Sequence, residues 1–127
     1  STWFNMGVFD PILQNFNAQD FLDQNFTGCS IKYEFQMCIE DSGNFGHADT
    51  TSINSATGVS SDLSKASQWA TFREQVSGVV TSTDITGQMN GRGYQFFRVR
   101  ISFTLKDGQK RVDPVPYVDR LRIRVKY

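Results

Sequence analysis

Histidine occurs once, cysteine twice and proline three times in these 127 residues, and each scarcity closes off a class of protein. Two cysteines, Cys29 and Cys38, are too few for a disulfide framework or a structural zinc site. A lone His47, no cysteine with a base close by in sequence, no Gly-x-Ser-x-Gly and no phosphate-cradling glycine loop argue against an enzyme. No catalytic residue, cofactor or metal is therefore assigned. Acidic pairs such as Glu34 with Asp41 can always meet in space, and among 13 acids such a pair signals nothing. No stretch approaches the roughly 18 apolar residues of a membrane span, and no basic-then-apolar signal segment is present. The chain begins at Ser1 rather than Met, which reads as a processed mature form or a piece of something larger.

What the chain does have is aromatic bulk and a strict two-residue period. Eleven Phe stand beside two Trp and four Tyr, enough to build one real core, so a single domain over residues 1–127 is expected. Phe97, Val99, Ile101, Phe103 and Leu105 alternate with Arg98, Arg100, Ser102, Thr104 and Lys106; Leu121, Ile123, Val125 and Tyr127 alternate with Arg120, Arg122, Arg124 and Lys126. A period of two puts one set in the core and the other outside. Burying an aliphatic or Phe side chain is worth roughly 1.5–3 kcal/mol, so a one-residue slip, which drives Arg98 and Arg100 inward, is strongly disfavoured.

The charge is balanced overall and unbalanced locally. Residues 92–127 carry Arg92, Arg98, Arg100, Lys106, Lys110, Arg111, Arg120, Arg122, Arg124 and Lys126 against Asp107, Asp113 and Asp119, a net of +7, so residues 1–91 carry −7. Arg98, Arg100, Arg120, Arg122, Arg124 and Lys126 are the candidate basic sheet face. Like charges on neighbouring strands repel, so this comb calls for an anionic partner: the acidic portion of the same fold, a neighbouring subunit or an anionic glycan. With zero net charge and no nucleic-acid-binding motif, nucleic acid is not expected.

Along the chain, residues 1–9 are apolar on both parities, with Trp3, Phe4, Met6, Val8 and Phe9. That pattern fits a strand buried on both sides or one inserted against a partner's sheet, and makes Trp3, Phe4, Met6 and Val8 a candidate assembly strand. Asp10-Pro11 ends it. Residues 11–26 read mostly as loop with one short strand, with a helical turn conceivable near Ala18–Leu22, and Asn25-Phe26-Thr27 is a glycosylation sequon. A long strand starts at Gly28, with Ile31, Tyr33, Phe35 and Met37 on one parity. Cys29 and Cys38 lie within it, nine positions and about 30 Å apart if the strand is straight. Either the chain turns between them and they pair, or they are two buried thiols. The loop holding Asp41, Asn44, Phe45, His47 and Asp49 offers oxygen ligands and an aromatic platform, though its spacing matches no EF-hand. Residues 50–68 form a polar excursion with Ile53, Val59 and Leu63 as anchors. Trp69 to Val80 supplies one or two strands broken near Gly78. Turns follow at Asp84–Gly87 and Asn90–Gly93, and Asp107-Gly108 and a Pro114-Val115-Pro116 rim join the last two strands. Many strands, polar turns and no long helix predict an all-β, antiparallel, jelly-roll-like sandwich with long polar loops.

The string Tyr94-Gln-Phe-Phe-Arg-Val-Arg-Ile-Ser-Phe-Thr-Leu105, followed by Pro114-Val-Pro-Tyr-Val-Asp-Arg-Leu-Arg-Ile-Arg-Val-Lys-Tyr127, resembles the closing strands of sandwich modules in large bacterial surface proteins. Gly28–Glu40 and Trp69 resemble an earlier core strand and an inner-sheet tryptophan of such modules. The likeness is to jelly-roll, discoidin- or galactose-binding-like domains of adhesins and pilus-associated proteins. It implies an extracellular or cell-surface module and transfers no ligand-binding residue. Two functions follow as expectations. One is a structural or interaction subunit of a filament, appendage or other assembly, held by strand and charge complementarity and partnered by copies of itself or neighbouring subunits. The alternative is a carbohydrate-binding or adhesive module that uses the polar loops 41–49 and 50–68, with Asp41, Asn44, Phe45, His47 and Asp49 as its candidate residues and Trp69 as a second candidate platform.

Overall fold

The central strand of the molecule is its most buried, and two layers of unequal width form around it. A computed structural model describes residues 2–7, 10–23, 25 and 27–126. The strands are β1 (Phe4–Asn5), β2 (Ile12–Phe21), β3 (Ser30–Cys38), β4 (Ala70–Val76), β5 (Val79–Ser82), β6 (Phe96–Thr104) and β7 (Tyr117–Lys126), with one short helix, α1 (Thr86–Met89). One sheet runs β1-β6-β3-β4-β5 and the other pairs β2 with β7. Every strand pair is antiparallel. The chain crosses between the layers after β1, after β2 and after β6.

Ile31, Tyr33, Phe35 and Met37 of β3 are fully buried and face the two-stranded layer, from which Phe16, Ala18, Val118, Leu121, Ile123 and Val125 pack down on them. The outward parity of β3 is buried as well: Glu34, Gln36 and Cys38 lie beneath the long loop between β3 and β4. Covering on both sides explains why β3 sits at the middle of its sheet. The core carries a continuous aromatic run, Phe4 on Phe97, Phe97 on Phe35, Phe35 against Phe16 and Phe16 on Phe72, with centroids 4.2 to 5.3 Å apart.

Several expectations need correction. Residues 12–21 are a ten-residue strand, not mostly loop, and Ala18–Leu22 forms no helical turn. A register shift between Leu13 and Asn15 changes the parity, so Leu13, Phe16 and Ala18 all face inward although their spacing breaks the alternation. Of the three expected anchors of the long loop, Ile53 packs as one but Val59 and Leu63 are about half exposed, and Ala66 and Ser60 are buried in their place. The two closing strands form as expected but belong to different sheets, so their cations divide between opposite outer faces rather than sharing one. Cys29 and Cys38 stand at opposite ends of β3, both free and buried. Burial pushes the Cys38 thiol up to about 12, which keeps it protonated at neutral pH. The break near Gly78 is a tight hairpin between β4 and β5, with both Ser77 and Gly78 at positive φ. The Asp84–Gly87 turn leads into α1, where Asp84 accepts hydrogen bonds from the backbone N–H and hydroxyl of Thr86. Asn90, just after α1, bonds the backbone N–H and C=O of Leu13 through its side-chain amide and so supplies β2 with a short stretch of ladder.

Candidate functional site

On the outer face of the five-stranded sheet, register places Arg98 opposite Gln36 and Arg100 opposite Glu34. Arg100 grips Glu34 with two parallel bonds, Nε to Oε1 at 2.9 Å and Nη2 to Oε2 at 2.8 Å. These bonds hold the Glu34 carboxyl below its ordinary range and raise Arg100. Arg98 donates only its Nε, to Gln36 Oε1 at 2.8 Å. Gln36 is fully buried and donates in turn to the carbonyls of Gly58 and Ser67, which ties the sheet to the loop above it.

The guanidinium of Arg98 lies between two indoles, 4.5 Å from the centre of Trp3 and 4.9 Å from that of Trp69; Arg100 lies 4.2 Å from Trp69. Aromatic faces suit a guanidinium because their quadrupole is negative and the ion is weakly hydrated. Burial holds Arg98 below the usual arginine range, and the like charge of Arg100 adds to the effect. The loop at 54–58 closes over this ladder and leaves an open groove of about 620 Å³ lined by Trp3, Asn54, Ser55, Thr57, Trp69 and Arg98. Gly58 is where the loop comes closest. Its φ is +70°, and a Cβ there falls 2.6 Å from Trp69 Nε1, a buried N–H with no acceptor among the described residues. Gly58→Ala therefore combines left-handed strain with a clash. We expect a loss of about 1–3 kcal/mol, together with a red shift of tryptophan emission as the loop lifts. Unchanged emission and an unchanged melting curve contradict this packing.

The second basic surface is the outer face of β7. Arg120, Arg122, Arg124 and Lys126 are exposed and lie opposite Gln19, Asn17, Asn15 and Ile12 of β2. Alternate residues on a strand are about 6.6–6.8 Å apart, so four cations form a row about 20 Å long. Among the described residues the ion pairs are Arg73–Asp20 and Arg100–Glu34, and none involves this row. Asp119 sits beside Arg120 at the second register shift of this pair.

The loop residues predicted from sequence gather into turns. Asp41 accepts from the backbone N–H of Gly43 and the side chain of Asn44, while Asp49 is buried and accepts from the backbone and hydroxyl of Thr51, which lowers its carboxyl. No group of three His, Cys, Asp or Glu able to hold a metal occurs among the described residues. Phe45 is 94% exposed at the loop tip and His47 is exposed nearby. At the N-terminus, Phe4 and Asn5 pair with Phe97 and Phe96 of β6, Phe4 stacks on Phe97, and Met6 is buried in the core. Trp3 lies on the opposite face, over Arg98, and Val8 is outside the described residues.

The sequence marks both arginines of the groove, Trp69 and the loop at 50–68, but not that Asn54, Ser55, Thr57 and Gly58 of that loop form its walls. Only the fold brings the run 54–58 over Arg98. Comparison with protein-family models, with curated proteins and with solved structures gives no match to this chain. No helix among the described residues is long and apolar enough to cross a membrane.

Proposed function

We propose that this chain is a non-catalytic interaction module that docks an acidic surface of a neighbouring subunit through the outer face of β2 and β7. The observation that carries this reading is the row Arg120, Arg122, Arg124 and Lys126, exposed, backed by the amides of Asn15, Asn17 and Gln19, and without an ion pair among the described residues. Arg73 and Arg100 are paired with Asp20 and Glu34 inside the fold, so those two acids are not available to the row. A row of like charges costs self-repulsion in the isolated chain and is relieved by an opposing surface. Copies of the same chain can supply acids for one: residues 1–91 carry a net −7, with Asp20 and Glu34 already paired inside the fold. An acidic patch meeting a basic row is a heterologous contact, which propagates rather than closes. The repeated crossing between layers supports a jelly-roll-like module, and the extracellular placement rests on the likeness of the closing strands to bacterial surface-protein sandwiches.

The test is sedimentation across protein concentration and salt. At low ionic strength we expect concentration-dependent self-association that weakens as the Debye length shrinks below about 8 Å, and that falls at least tenfold in Arg122→Glu/Arg124→Glu with the monomer still folded. A wild type that sediments as a monomer at every salt concentration removes the proposal. A carbohydrate-binding or adhesive role is the second reading, favoured by the groove between Trp3 and Trp69, where indoles, guanidinium groups and loop hydroxyls converge.

A further inference from the structure

We propose that the groove between Trp3 and Trp69 binds the carboxylate of a sugar acid, with Arg98 as the anion-recognising residue. This deepens the carbohydrate-binding reading and rests on it.

The guanidinium of Arg98 has three kinds of surface, and two are occupied. Its carbon lies over the rings of Trp3 and Trp69, 4.5 and 4.9 Å from their centres, and its Nε is held by Gln36. No hydrogen bond from either Nη and no ion pair of Arg98 occurs among the described residues. What remains are the two Nη groups of a side chain that lines the groove, with Nη2 next to the backbone of Gly58. A planar guanidinium held at Nε and packed against two indoles presents a fork that matches a carboxylate bidentately, and it loses less side-chain freedom on binding than a free arginine. The charge points the same way. Arg98, Arg100 and Glu34 together carry one uncompensated positive charge, and Arg98 holds it partly stripped of water, so an oxyanion arriving at its edge neutralises a charge the fold leaves exposed.

The rest of the groove selects a sugar. Its rim carries Thr50, Asn54, Ser55 and Thr57, short hydroxyl and amide groups of the kind that exchange hydrogen bonds with ring hydroxyls, and its apolar walls are the indoles and Ile53. The loop is already ordered: Asn54 Oδ1 accepts from the backbone of Ala56 and Thr57, and Gly58 is bonded to Gln36. An acidic peptide has one competing foothold, the edge of β6 beyond Phe97 where β1 no longer pairs, and the triglutamate arm below tests it.

The experiment titrates the intact chain, by calorimetry and tryptophan fluorescence, with trigalacturonate, neutral galactotriose, triglutamate and sodium sulfate. We expect trigalacturonate to bind at least tenfold more tightly than the other three. Arg98→Lys, which keeps the charge and loses the fork, weakens it at least tenfold. Ser55→Trp fills the groove from an exposed loop position and does the same, so the test does not depend on whether the Arg98 variant folds. Arg111→Glu, at an exposed cation in the turn between β6 and β7, changes it less than twofold. Galactotriose binding as tightly as trigalacturonate overturns the acid-specific site and leaves the carbohydrate reading standing. No saccharide binding by folded protein overturns both. Equal binding of triglutamate or sulfate assigns the groove to carboxylates or oxyanions in general and overturns the sugar.

Discussion

Phe35→Ala is expected to remove about 3–5 kcal/mol of stability, the range for truncating a buried Phe. Phe35 is fully buried on the central strand, stacked on Phe97 at 5.3 Å and met edge-on by Phe16 at 5.1 Å. Phe97 belongs to the same sheet and Phe16 to the opposite layer, so the side chain is the hinge of the aromatic run that joins them. The void left by Ala can close only if a two-stranded layer moves toward a five-stranded one, and Leu13, Leu121 and Ile123, already packed, oppose that movement. Against a typical total of roughly 5–15 kcal/mol, the variant stands near the edge of folding. Phe35→Leu, which keeps most of the volume, is expected to cost under half as much. Urea unfolding reads both. A midpoint for Phe35→Ala that moves by the equivalent of less than about 1 kcal/mol means that the two layers do not meet through this residue.

The parts of the fold that were legible in the sequence are those where the period of two runs uninterrupted. β6 and β7 announce themselves because Val99–Phe103 and Leu121–Val125 alternate without a break, and β3 does so through Ile31, Tyr33, Phe35 and Met37. β2 was hidden by its register shift after Leu13: once the parity changes, Phe16 and Ala18 look like stray apolar residues in a polar loop. Periodicity also says which side chains face inward but not which sheet a strand joins, because pairing is a non-local choice. That is why the cations of β6 and β7 read as one shared face, when β6 lies between β1 and β3 and β7 pairs only with β2. The groove shows the same limit. Charge marked Arg98 and Arg100, and Trp3 and Trp69 stood out as the two indoles, yet 65 residues separate the tryptophans and only the pairing of β1 with β6 brings Trp3 to Arg98. The turn at 54–58 carried no sign of what lies beneath it, since backbone approach to a distant indole leaves no local pattern.

Asp20→Ala is expected to cost about 3–5 kcal/mol, as breaking a buried ion pair from one side does. Asp20 is on β2, yet its side chain is 3% exposed and serves two partners in the other layer. Its Oδ2 accepts from Tyr33 Oη at 2.7 Å and from Arg73 Nε at 3.2 Å, and its Oδ1 from Arg73 Nη2 at 2.8 Å. Removing the carboxylate leaves a buried phenol without an acceptor and a guanidinium, 21% exposed, without a counter-charge. Because the three groups form one unit, Asp20→Ala and Arg73→Ala are expected to be non-additive by about 1–3 kcal/mol in a double-mutant cycle. Salt should change little, the pair being largely out of solvent. Tyr33→Phe, which deletes only the hydroxyl, is expected to cost about 1 kcal/mol at neutral pH and to change the alkaline limb of stability. Burial, reinforced by the hydrogen bond to Asp20, raises the Tyr33 phenol well above its ordinary range. The folded state thus favours the neutral phenol. That preference contributes nothing extra while the unfolded chain is also neutral, below about pH 10, and above it the unfolded chain alone releases the proton, so stability falls as pH rises. The Tyr33→Phe variant lacks this alkaline fall. Additive single mutants, with the same alkaline limb in the wild type and in Tyr33→Phe, mean that the network does not join the layers.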